Sequence, residues 1–256
     1  MDAALRDQFR AGFYTSRLAK WIDDPFDDTE AVSPDVAGCL AAIESGRRDF
    51  SYPGHDAAVF KLLQQIVPER GLRRGADIGC ETGAFPAMQI AAGVESCTIF
   101  EVRQTAANHE RVEVRVQNLT DAKDVQPEFD LITCLSTIEH IGLGRYGDPI
   151  DPWGDVKMAA NLRQLLRPGG ILLMSFPTGP GRVVFNKNRI YTSYRRATLF
   201  GDLVQLQKVP DVSLVQRLRN RVGALVTRAS YASQPIYVLV KPASPRAGSR
   251  SLASIR

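Results

Sequence analysis

The chain has 256 residues, enough for one full-sized mixed domain with its own core and a modest appendage. With 44% hydrophobic and 23% charged residues it has a folded protein's composition, which excludes a low-complexity or wholly disordered chain. A net charge of +4 is too small to mark a dedicated polyanion binder, although residues 182–256 concentrate 14 Lys or Arg against two acids. That basic end is able to attract phosphate or an anionic surface, and a solvated surface with a loose tail accounts for it equally. Residues 202–230 interleave no aromatic with their basic groups, so nucleic acid is not an expected partner. No apolar run reaches the length of a membrane span, and the charged residues 1–10 do not resemble a secretory leader, so a cytoplasmic protein is expected. Cys39, Cys80, Cys97 and Cys134 form no CxxC pair, which favours reduced thiols over disulfides or zinc.

The first fifty residues read as helical, with Leu5, Phe9 and Phe13 on one stripe. Ser33 as N-cap and Pro34 at the first position predict a second helix that stops near Gly46. A third, over about 55–67, carries Val59, Leu62, Leu63 and Ile66 on one face and is expected to end before Pro68. From about residue 72 short apolar runs alternate with helical stretches, the rhythm of βαβ units and a parallel sheet. The expected strands are 74–78, 97–101, 112–116, 130–135 and 171–176, with late strands near 203–209 and 236–240. A helix over 155–167 turns Val156, Ala159, Leu162 and Leu166 inward, and Pro168-Gly169-Gly170 ends it. Between the late strands, residues 214–226 place Leu214, Leu218, Val222 and Leu225 on one face among three arginines. Packing over the sheet edge or a dimer contact is expected of it, with a membrane-surface helix as the other reading. The resulting division is a helical cap over 1–70, a main domain over 71–241 and a disordered basic tail over 242–256.

Where the first expected strand turns into a helix, the loop runs Gly75-Ala76-Asp77-Ile78-Gly79-Cys80-Glu81-Thr82-Gly83. Glycines there let the backbone pass close to a ligand, and a helix N-terminus offers free amides. The spacing does not match the dinucleotide fingerprint G-x-G-x-x-G. It resembles the D-x-G-x-G-x-G loop of class I S-adenosylmethionine-dependent methyltransferases, with Glu81 in place of the middle glycine. Three further landmarks follow in the order and spacing of that superfamily. Glu101 closes the next strand, where a carboxylate can accept both ribose hydroxyls; a strand-end glutamate in water is the plainer alternative. Phe129-Asp130-Leu131-Ile132 resembles the superfamily's F-D-x-I strand, and Leu166-Arg167-Pro168-Gly169-Gly170 its L-x-P-G-G hairpin.

The resemblance covers about residues 72–180. It implies a Rossmann-like three-layer α/β sandwich around a mostly parallel seven-stranded sheet with a late antiparallel hairpin. It also implies S-adenosylmethionine as cofactor, with S-adenosylhomocysteine as product. Asp77, Gly79, Cys80 and Gly83 would lie around its methionine part, Glu101 on the ribose, Asn118 and Leu119 at the adenine, and Cys134 and Ser136 near the reacting methyl. A narrower resemblance is carried by Ile138-Glu139-His140-Ile141-Gly142-Leu143-Gly144-Arg145-Tyr146-Gly147-Asp148 and by Phe185-Asn186-Lys187-Asn188-Arg189-Ile190-Tyr191. These look like the signatures of a poorly characterised methyltransferase-like family often found near glycan-assembly enzymes. That implies a small-molecule or oligosaccharide acceptor.

A sugar hydroxyl attacks poorly unless a base removes its proton. Of the three histidines, His55, His109 and His140, only His140 follows the fourth expected strand of the parallel run, with Glu139 or Asp148 available to orient it. A strand-capping histidine is the plainer reading. Arg145 and Tyr146 in the following glycine-rich loop, and Arg189 and Tyr191 in a second loop, are the expected acceptor contacts; an Arg and an Asp that merely pair to fix the loop are the other reading. Asp148, Asp151 and Asp155 offer oxygen ligands for Mg²⁺, but turn and helix-cap roles explain them more simply, so no metal is expected. His55 starts a helix and needs no function, although it is placed to close over a cofactor. The reading is thus a sugar or oligosaccharide O-methyltransferase, monomeric or homodimeric. The alternatives are an N- or C-methyltransferase of another small metabolite and a non-catalytic binding module.

Overall fold

The computed structural model describes residues 19–21, 27–47, 53–210 and 233–243. The expected stripe at Leu5, Phe9 and Phe13, the arginine-rich stretch over 214–226 and the tail beyond 243 lie outside the described residues. The elements in chain order are β1 (Ala19–Trp21), α1 (Val36–Glu44), α2 (Pro53–Arg70), β2 (Arg74–Ile78), α3 (Ala84–Ala91), β3 (Ser96–Glu101) and β4 (Val112–Val116). After a 3₁₀ turn at Leu119–Asp121 come β5 (Phe129–Leu135), α4 (Gly154–Leu165), β6 (Leu166–Ser175), β7 (Arg182–Phe185), β8 (Asn188–Ile190), α5 (Ser193–Phe200), β9 (Val204–Val209) and β10 (Ile236–Val240).

Seven strands form one sheet in the order β4-β3-β2-β5-β6-β10-β9. The contacts from β4 through β6 are parallel, and β10 runs antiparallel to both β6 and β9. The fold is therefore the expected Rossmann-like sandwich with a late antiparallel hairpin. The middle strands are apolar on both faces because helices cover both. Ile132, Cys134, Leu172 and Met174 face one layer with Met158, Ala159 and Leu162 of α4. Their neighbours Leu131, Leu135, Ile171 and Leu173 face the other, with Val36 and Leu40 of α1, Val59 and Leu63 of α2, and Met88 of α3. This second cluster runs across residue 70 without a break. Each wholly buried leucine in such a layer contributes about 1.5–3 kcal/mol relative to leaving it in water.

Local departures from the sequence reading have simple causes. The first fifty residues are not uniformly helical, since Ala19–Trp21 pairs in parallel with Arg182–Phe185 in a small sheet with β8. The α1 cap is Asp35, not Ser33: its carboxylate accepts from Gly38 N at 2.9 Å, satisfying an amide left over at the helix start. Helix α2 carries Pro68 in its last turn and ends at Arg70. Helix α4 stops at Leu165, and Leu166 begins the next strand, so Leu165 and Met158 fill the inward positions while Val156 is only half-buried.

Candidate functional site

The carboxyl ends of the parallel strands open into a cavity of about 1290 Å³, where an open α/β sheet places its ligands. That exceeds the roughly 300–1,000 Å³ of a single-ligand pocket and leaves room for two molecules. Gly79, Cys80, Glu81, Thr82 and Gly83 form one wall between β2 and α3. Gly79 has φ 74°, and a Cβ there would stand 2.6 Å from Thr137 Cγ2. Gly83 has φ 86°, and a Cβ would stand 2.8 Å from Val36 N, so only glycine lets α1 seat against this loop. The backbone at Glu81 is not left-handed, so the missing middle glycine leaves the loop unstrained.

Below this loop lies a buried polar layer. Gln89 of α3 donates to Ala76 O at 3.0 Å and Thr133 Oγ1 at 2.8 Å, and Thr133 donates to Asp77 at 2.5 Å. Burial pushes the Asp77 carboxyl up to about 6. Asp77 is thus a support beneath the loop and not part of the cavity lining.

Glu101 ends β3 inside the cavity, 4% exposed. It is not free: Oε1 accepts from Val102 N at 2.9 Å, Arg103 N at 3.2 Å and Arg103 Nε at 3.1 Å, and Oε2 accepts from Arg103 Nη2 at 3.0 Å. The Arg103 guanidinium lies 4.9 Å from the Tyr146 ring centroid, and Arg145 lies 5.1 Å from the same ring. Arg145 in turn donates to Asp28 at 2.5 Å. Leu119 reaches the cavity, whereas Asn118 caps the 3₁₀ turn through Thr120 N at 3.0 Å and lies outside the lining. Cys134 is also outside, buried in β5 on the α4 side. Ser136 lines the site at φ 54° and accepts from Gln234 through its hydroxyl.

His140 and Glu139 both line the cavity. The His140 Nδ1–H donates to Lys187 O at 2.6 Å, which leaves Nε2 as the ring's acceptor, 3.9 Å from Glu139 Oε1. At that distance Glu139 does not hydrogen-bond the ring; the Lys187 carbonyl orients it instead. Burial lowers His140 to about 4 and raises Glu139 to about 8, and Glu139 Oε2 has no hydrogen-bond partner among the described residues. Asp148 accepts from Gly142 N at 2.5 Å and Tyr146 N at 3.4 Å, so it shapes the loop while touching the cavity.

Two expected acceptor contacts are corrected. Arg189 is 0% exposed, donates to Ile141 O and lies 3.9 Å from Asp155. Tyr191 is 1% exposed, stacks edge-on with Phe176 at 4.9 Å and donates to Ile138 O at 3.2 Å. Both hold the loop from behind, because the β7–β8 hairpin carries them into the core. Asp155 is committed to Arg195 at 2.7 Å and Asp151 to Lys157 at 2.7 Å, so these aspartates do not converge with Asp148. Among the described residues no acidic, His or Cys cluster could hold a metal, and no helix is long and apolar enough to cross a membrane.

The sequence reading passed over Arg103, although it stands two residues past the expected ribose acid. His55, expected to start a helix and placed to close over a cofactor, has its ring in the lining, between Asp56 at 3.0 Å and Ser175 Oγ at 3.0 Å. Gln234 follows a stretch with no motif, so nothing in the sequence marks it.

Residues 86–210, just under half of the chain, match the family described as Caenorhabditis protein of unknown function, DUF268. No curated protein matches in sequence. Among solved structures, the chain is similar to the 1,6-didemethyltoxoflavin-N1-methyltransferase of Burkholderia thailandensis, which has 1,6-didemethyltoxoflavin and S-adenosylhomocysteine bound. The TM-score is 0.52 at 18% identity over 86% of this chain and 93% of that one. It is also similar to the N-methyltransferase NodS of Bradyrhizobium japonicum WM9, with TM-score 0.51 at 14% identity over 75% and 98%. The chain therefore has the Rossmann-like fold of these methyltransferases.

Proposed function

We propose that the protein is an S-adenosylmethionine-dependent methyltransferase that O-methylates a sugar or oligosaccharide hydroxyl. One observation carries the reading: the glycine loop, the strand-end acid Glu101 and the His140–Glu139 pair meet in one cavity at the carboxyl ends of β2, β3 and β5. The residues present fit the cofactor. Gly79 and Gly83 hold the backbone in the left-handed turns that a close-passing ligand needs, and the start of α3 offers amides. Besides Glu139, which holds its proton near neutrality, seven acidic side chains against three Lys or Arg line the cavity among the described residues, a field that favours a cationic sulfonium. When bound, S-adenosylmethionine supplies a methyl group made electrophilic by that sulfonium.

The chain's own residues do the rest. Gly79, Cys80 and Gly83 would hold the methionine part, Glu101 the ribose and Leu119 the adenine edge. Ser136 stands toward the reacting side. Arg145 and Tyr146 flank the acceptor. His140 Nε2 is placed to take the acceptor's proton, and Glu139, once ionised, stabilises the resulting imidazolium. Alignment within the cavity supplies much of the acceleration. A cytoplasmic monomer or homodimer without a metal requirement completes the reading, with residues 71–241 as the catalytic unit, 1–70 as its cap and 242–256 as a tail.

The acid excess also favours a second reading, methylation of an amine. Incubating the protein with methyl-labelled S-adenosylmethionine and a panel of oligosaccharides and amines, then locating the label by mass spectrometry, decides between them. Label on oxygen supports the proposal, and label only on nitrogen replaces it with the second reading.

A further inference from the structure

Arg103 occupies the place that the ribose reading assigns to the cofactor. With three donors on Oε1 and one on Oε2, Glu101 cannot accept two ribose hydroxyls while the guanidinium stays. Expelling a half-buried cation with no new partner is costly. A second carboxylate is close by: Glu81, in the glycine loop, lines the same cavity, is exposed, and acts electrostatically on both Arg103 and Tyr146. Among the described residues Glu81 makes no hydrogen bond or ion pair of its own. It is also the residue that departs from the glycine pattern without any backbone reason.

We infer that Arg103 is a cofactor-binding residue: ribose hydroxyls replace it on Glu101, and its guanidinium passes to Glu81 and closes over the bound nucleoside. The exchange keeps the cation on a carboxylate, Glu81 in place of Glu101, while the Glu101 carboxylate stays hydrogen-bonded by the ribose hydroxyls and by the Val102 and Arg103 amides. It also ties cofactor arrival to the acceptor side. The guanidinium now stacked on Tyr146 leaves that ring as it moves, and Tyr146 sits edge-on to His140 at 5.7 Å. The inference rests on the S-adenosylmethionine reading and on Glu101 as the ribose acid.

The test is a double-mutant cycle in calorimetric affinity for S-adenosylhomocysteine, using the full chain as wild type, Glu81→Gln, Arg103→Ala and the double variant. Glu81→Gln should weaken binding about three- to tenfold when Arg103 is present, the range of a partly shielded ion pair, and by less than about twofold when it is absent. The same loss in both backgrounds, or no loss in either, overturns the inference. If Arg103→Ala lowers the melting temperature too far for titration, Arg103→Met keeps the stem over Tyr146 and serves in its place. Absence of binding in the wild type would instead remove the cofactor reading itself, and the hand-over with it.

Discussion

His140 Nε2 and Glu139 Oε1 lie 3.9 Å apart with no hydrogen bond between them, and burial shifts the two groups in opposite directions. Near neutrality the imidazole is therefore uncharged and the carboxyl still holds its proton, so the pair gains basic strength only as Glu139 ionises. Methyl transfer to a hydroxyl should rise with pH around a midpoint near 8, where Glu139 titrates, and not near the 6.5 of an unshifted imidazole. Glu139→Gln should lack that limb. A pH profile of kcat/KM with labelled cofactor checks this, and a wild-type rate that is flat or falling from pH 7 to 9 contradicts it.

Stability should carry the same signature. The folded state binds the Glu139 proton up to about pH 8, whereas the unfolded chain releases it near 4.5, so this group's contribution is lost as pH rises between those values. His140, lowered from 6.5 to about 4, acts in the opposite sense up to about pH 7.5, and Asp77, raised to about 6, has also nearly finished titrating by then. From about pH 7.5 to 8 Glu139 therefore acts nearly alone of the three, with a slope of at most about 1.4 kcal/mol per pH unit. Denaturant melts should show wild-type stability falling across that window relative to Glu139→Gln. Parallel curves would mean that Glu139 is ionised in the fold.

His140→Ala should leave S-adenosylhomocysteine affinity within a few-fold, because the ring lies past β5 on the side that the proposal gives to the acceptor. Turnover should fall by roughly 10²–10⁴, the usual contribution of a positioned base. If the variant keeps near-normal turnover, the imidazole serves only to hold the β7–β8 turn through Lys187 O. If it loses the cofactor, the two halves of the cavity are assigned the wrong way round.

The sheet was legible because parallel strands covered on both faces must be short apolar runs. The residues now found in β2, β3 and β5 stand out in this way, within a residue of their observed ends. The cavity's cofactor wall was legible too, since Gly79, Gly83 and Glu101 are tied to chain geometry at strand ends. The acceptor wall was not. Arg189 and Tyr191 look like contacts in a polar loop, but the short hairpin of β7 and β8 turns both into the core. Arg103 and Gln234 reach the cavity only through tertiary folding, with no spacing to announce them. Asn118 and Cys134 failed for a smaller reason. One residue of register decides which side chain faces the cavity, and in both cases a neighbour does: Gln117 and Leu119 in place of Asn118, Leu135 in place of Cys134.

The correction to Arg189 has a measurable consequence. Asp155 is 0% exposed between Arg195 and Arg189, so Asp155→Asn leaves buried cations with reduced compensation. Urea unfolding should show a loss of about 3–5 kcal/mol. Arg189→Ala should likewise lower stability while leaving the acceptor KM of the folded fraction within about twofold. A large KM change at unchanged stability would return Arg189 to the acceptor site.

Calorimetric titration with S-adenosylhomocysteine shows whether this cavity binds the methyl donor through Glu101. The wild type should bind saturably at a single site. Glu101→Gln should bind at least about tenfold more weakly, because each charge-assisted hydrogen bond to a ribose hydroxyl is worth about 1.5–3 kcal/mol. Saturable binding with that loss is the predicted result; a wild-type titration that yields no heat of binding contradicts the account.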